Sequence, residues 1–156
     1  MTAAKTIPLC LALVLSGAAA PAPAAAADLI FRPNRQQAEG LLGASAGKAY
    51  WVMLAECAGF YGALANREDA AGRPAEADGL KATGVGFWTD AVTRLRADRS
   101  LDAAAAAALA EPYVARARTL GEQALQRPVP PSSLQPATAM QSTCTDLRSA
   151  YAAMRP

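Results

Sequence analysis

From Tyr50 to Ala65 the chain carries a single charge, Glu56. A stretch this apolar, if helical, must be covered on almost every side, so it has to be the central element of whatever surrounds it. At about 100° per residue, Tyr50, Met53, Leu54, Cys57, Phe60, Tyr61 and Leu64 fall on one stripe. The back of the same helix is built from small residues, with Ala55, Gly59 and Ala63 forming a small-x-x-x-small ridge suited to close contact. A partner protein or a second copy of the chain is the occupant expected for that ridge, with Trp51 on its flank.

The rest of the chain reads as helix as well. Only six Val and Ile residues follow position 28, Ala and Leu abound, and no stretch alternates polar and apolar residues at period two. The expected fold is all-α, a small bundle of four to five helices. The first helix is placed at about 35–66, with Gly40, Gly43 and Gly47 weakening its N-terminal half. Ahead of it, 28–34 is an extended lead-in, in which Leu29, Ile30 and Phe31 form an apolar clasp. A second helix starts with Pro74 at its first position and ends near Arg99, burying Leu80, Gly84, Phe87, Trp88, Ala91 and Leu95 and pairing Asp90 with Arg94. Ser100 is the expected N-cap of the alanine-rich segment 101–110. Pro112 predicts a break and a fresh helix over 112–126, facing Tyr113, Ala117, Leu120 and Ala124 inward. A crossover with four prolines follows over 127–139. The last helix, 140–154, lines up Met140, Cys144, Leu147, Tyr151 and Met154.

The start of the chain has a different character. Lys5, an apolar run over 7–15 and an Ala/Pro-rich exit ending in Ala25, Ala26 and Ala27 read as a secretory signal peptide, 1–27, cut before Asp28. The run is too short to span a bilayer, so no stable membrane span is expected after cleavage. The mature region 28–156 is then one domain, periplasmic or secreted, and loss of Lys5 lowers its formal charge from +2 to +1. In an oxidising compartment its two cysteines, Cys57 and Cys144, are expected to pair. Both lie on apolar stripes, so the bridge would staple the first helix to the last. A closed loop of about 88 residues corresponds to roughly 4–5 kcal/mol in the chain-entropy account. With 31 large apolar residues in the mature region, the core is thin and gains from such a staple.

The composition excludes much chemistry. There is no histidine to act as base, proton shuttle or metal ligand. With two mature cysteines and no C-x-x-C, no metal site and no cofactor are expected. Arg94, Arg96 and Arg99 are the densest basic cluster, but Asp90 and Asp98 lie among them, so no nucleic-acid footprint is expected. Ser45 and Lys48 match an S-x-x-K spacing without companion motifs. A phosphate-loop pattern fails over the same stretch, with Leu42 in place of the leading glycine and Ala49 where a hydroxyl is required. Glu56, a lone acid in an apolar helix, is the other candidate for catalysis.

What remains is binding. The leading expectation is a non-enzymatic exported protein that captures another protein through Trp51, Ala55, Gly59 and Ala63, as an inhibitor, immunity-type or accessory factor. The alternative is a carrier of a small apolar ligand, with Tyr50, Phe60, Tyr61, Phe87 and Trp88 lining a pocket between helices.

Overall fold

The computed structural model describes residues 28, 30, 47–126 and 136–153. The expected leader, Leu29, Phe31, the glycines at 40 and 43, Ser45, and the body of the crossover lie outside the described residues. Four helices make up the described fold: α1 (Tyr50–Ala70), α2 (Pro74–Arg99), α3 (Ala103–Gln126) and α4 (Pro136–Ala153). It is all-α, closed by a disulfide from α1 to α4.

The central element is α1, as its composition requires. From Trp51 to Ala65 every residue is buried except Glu56 and Gly62. It starts later than expected, because Gly47 takes a positive φ of 82° and Ala49 is extended. Ala49 instead makes an isolated antiparallel bridge to Ile30. The helix also runs four residues past Asn66 and stops in a Schellman motif. Gly72, at φ 72°, donates to the Asp69 carbonyl, and Arg73 N–H donates to that of Glu68. A residue with a Cβ is disfavoured at that φ, so Gly72 fixes the stop.

Pro74 opens α2 at its first turn, where a missing N–H costs nothing. Its inward residues Gly84, Phe87, Ala91 and Leu95 are buried, while Leu80 and Trp88 are half-buried. Ser100 closes α2 in the left-handed conformation, φ 52°, instead of capping the next helix. Asp102 is the cap of α3: its carboxylate accepts from Ala105 N–H at 2.8 Å.

Pro112 does not break the chain; α3 runs through it. Both Pro112 and Ala108, whose carbonyl loses its partner, are exposed, so water can replace the missing bond. The alanine run on the N-terminal side supplies helix propensity that offsets the proline.

Both α2 and α3 pack along the length of α1, and α4 touches α1 and α3 over a shorter span. The α3 seam is the tightest. A Cβ on Gly59 would collide with the Val114 carbonyl oxygen and lie 2.9 Å from the Arg118 backbone nitrogen. The ridge Ala55, Gly59, Ala63 is therefore the seat of α3, with all three residues buried. On the opposite stripe Cys57 and Cys144 are fully buried, with Cα atoms 5.8 Å apart, among Met53, Met140 and Leu147.

Candidate functional site

Where α1, α2 and α3 diverge, they leave an open cleft of about 600 Å³. Its floor is made of small residues, Ala58 and Gly62 of α1 and Gly84 of α2, with Ala107 and the exposed Ala108 of α3 on its wall. Small side chains let helices approach closely along the floor, so the larger residues beside it become walls. Trp88 and Val85 of α2 face Val114 of α3 across the opening. Val85, 62% exposed, stands at the lip.

Three charged residues interrupt this apolar lining: Lys81, Glu111 and Arg118. Neighbouring contacts fix their order. Gly84 sits against Ala58 and Gly62, while Gly62 sits against Arg118. Since α2 runs antiparallel to α1, Lys81 lies toward the same end as Arg118, where it also reaches Asp69 near the α1 C-terminus, Nζ to Oδ2 2.9 Å. Glu111, two turns before Arg118 on α3, lies toward the other end.

The two cations differ in their surroundings. Hydrogen bonds to Asp69 and then Asp78 hold the Lys81 ammonium above its ordinary pKa, so its charge is already matched. No carboxylate pairs with Arg118 among the described residues. Its guanidinium lies against the α1 backbone at Gly62, where a Cβ would meet Nε at 2.9 Å and Nη2 at 3.3 Å. Glu122, one turn further on, accepts instead from Asn66 Nδ2 at 2.9 Å.

A second, smaller hollow of about 390 Å³ lies between α1, α2 and α4, bounded by Tyr61, Thr83, Phe87 and Arg148. Arg148 also rests on a glycine, Gly86, with its guanidinium 5.1 Å from the centre of the Phe87 ring. Here the anion comes from the protein: Asp90 Oδ2 stands 3.2 Å from Arg148 Nε. Tyr61 stacks on Phe87 at 5.4 Å, closing the inner side.

The residues singled out from sequence are distributed as follows. Trp88 lines the larger cleft. Phe60 and Phe87 are core, Tyr61 and Phe87 edge the smaller hollow, and Tyr50 packs beside Tyr151 with ring centres 6.5 Å apart. They do not converge on one pocket, because a helical stripe distributes its side chains along the core rather than around a point. Trp51 is buried, not an exposed flank; it meets the Tyr113 ring edge-on at 5.1 Å, with Arg99 5.3 Å from its ring centre. Arg99 in turn holds Asp28 at 2.7 Å, and that bond keeps the Asp28 carboxyl below its usual pKa. Arg94 pairs with the buried Asp98, so two members of the basic cluster are already engaged with acids.

Of the catalytic candidates, Glu56 and Lys48 pair with each other. Both Glu56 oxygens accept from Lys48 Nζ, at 2.7 and 2.9 Å, and the Glu56 side chain is only 12% exposed. This ion pair spans the start of α1 and satisfies the lone acid of the apolar stretch. Among the described residues no cluster of three or more His, Cys, Asp or Glu is placed to hold a metal ion, and no helix is long and apolar enough to cross a membrane.

Sequence reasoning missed Arg118. An arginine on a helix carries no signal by itself; the available sign was Gly62, a second glycine in α1 three positions after Gly59. No protein-family model matches the chain, and no curated protein and no solved structure matches it either.

Proposed function

We propose that this chain is an exported binding protein whose α1–α2–α3 cleft takes a small molecule with an apolar body. The observation that carries this reading is the cleft itself: an open space of about 600 Å³, walled by Trp88, Val85 and Val114 and crossed by few polar groups. Those dimensions and that lining are typical of ligand sites between helices. Export is supported by the leader-like start of the sequence and by a disulfide, which persists in oxidising compartments. Capture of a protein through Trp51, Ala55, Gly59 and Ala63 is less well supported, because α3 and Tyr113 already cover these residues.

A neutral fluorescent probe, 1-aminoanthracene, tests the reading. Ala108 is an exposed residue of the cleft wall, so Ala108→Trp fills the space without entering the core. The wild-type protein is expected to bind the probe at one site, and A108W to lose that site at an unchanged unfolding midpoint. Equal binding by both would remove the cleft as the site.

A further inference from the structure

We propose, building on the ligand-binding reading above, that the cleft selects an amphipathic monocarboxylate, its head group held by Arg118 and its apolar body laid on Trp88, Val85 and Val114. Two arginines lie on glycines, and they differ in where their anion comes from. Arg148, on Gly86, has its anion built in as Asp90. Arg118, on Gly62, opens onto the larger cleft and has no carboxylate partner among the described residues. Its own-helix neighbour Glu122 is engaged by Asn66, and the other cation at that end, Lys81, is matched by Asp69 and Asp78.

The geometry also gives the ligand a direction. Glu111 and Arg118 are seven residues apart on one face of α3, about 10 Å along the helix axis. A carboxylate on Arg118 leaves its tail running over the Trp88 and Val114 walls toward Glu111. A second anion at the tail would meet that carboxylate, so dicarboxylates are disfavoured. A planar guanidinium matches the carboxylate fork with two parallel hydrogen bonds, which a neutral head group of the same shape cannot reproduce.

The test compares decanoate with decanamide by isothermal titration calorimetry on the full disulfide-bonded protein, with the unfolding midpoint of each variant as a folding control. Wild type is expected to bind decanoate about tenfold more tightly than decanamide. Arg118→Gln should bring the two affinities together by weakening decanoate far more than decanamide. Gly62→Ala, whose added methyl must displace the flexible guanidinium, should weaken decanoate in the same direction and by more than it weakens decanamide. A decanoate preference that persists in R118Q would overturn the assignment to Arg118. Equal affinity for both ligands in wild type, with both blocked by A108W, overturns charge selection while leaving the cleft as a binding site. Absence of binding by either ligand overturns the inference and the ligand-binding reading together.

Discussion

The two helices laid on opposite sides of α1 are held by different means. Against the small-residue ridge, α3 is seated by backbone proximity: Gly59 lets the Val114 carbonyl and the Arg118 amide come within contact of α1. Against the large-residue stripe, α4 touches α1 over a short span and is tied there by the Cys57–Cys144 bond. A seam of alanine and glycine gains from close approach along its whole length, with many weak dispersion contacts. A helix that meets α1 over a short span through three or four bulky residues gains less from packing, and a covalent link offsets the shortfall. One attachment depends on shape at every turn, the other on a single bond.

The heaviest blow to this distinction is Gly59→Leu. A leucine there has no space against α3, and the structure must either open the seam or unfold. We expect a loss of at least about 4 kcal/mol in urea unfolding, beyond ordinary overpacking because backbone blocks the added atoms. A G59L protein of near wild-type stability would show that α3 is seated by something else.

Removing the bond by the double change Cys57→Ala and Cys144→Ala should cost about 4 kcal/mol, with the wide variation known for loops of this length. The informative readout is where the loss appears. Amide exchange is expected to rise over 136–153 well before it rises in α1, α2 and α3. Uniform acceleration through all four helices would erase the distinction between the two attachments.

Pro112→Ala acts on α3 without touching its seat. Restoring an N–H for the exposed Ala108 carbonyl should stabilise the protein by up to about 3 kcal/mol, seen as a raised urea midpoint. No gain would mean that the proline is already fully accommodated.

The smallest effect belongs to Asp28, held to Arg99 by charge. Asp28 has its pKa lowered by Arg99 from the ordinary 3.8, so its contribution is present above that value and disappears as pH falls through the lower folded value. Exchange at the Ile30–Ala49 bridge should rise below pH 4, by the equivalent of no more than about 1 kcal/mol. Asp28→Asn should show the faster exchange at all pH values, and a wild-type profile retained in D28N would dismiss the Arg99 contact as its cause.

How far the sequence reveals this arrangement follows from which interactions are local in character. The stripe through Cys57, the stripe through Cys144 and the pairing of the two are legible, since helical periodicity alone places both sulfurs on apolar faces. Pro74 at the start of α2 is legible for the same reason. The ridge Ala55, Gly59, Ala63 is legible as a close-contact surface, yet periodicity cannot say whether its occupant is another molecule or another part of the same chain. Pro112 is misleading, because its cost depends on whether water reaches the carbonyl one turn back, a tertiary matter. The cleft is the least legible of all. Its floor is the absence of side chains at Ala58, Gly62 and Gly84, three residues on two helices that come together only when α2 folds back along α1. Glu56 and Lys48 show the same limit, since a pair eight residues apart across a helix start has no repeating signature.

The complete enclosure of both sulfurs carries a consequence for chemistry in solution. A thiol reagent cannot reach Cys57 or Cys144 while the last helix is docked, so reduction proceeds only through molecules in which that helix has momentarily swung away. The speed at which a mild reductant cleaves the bond therefore measures how often the carboxyl-terminal helix departs, and the protein carries its own internal clock for that event.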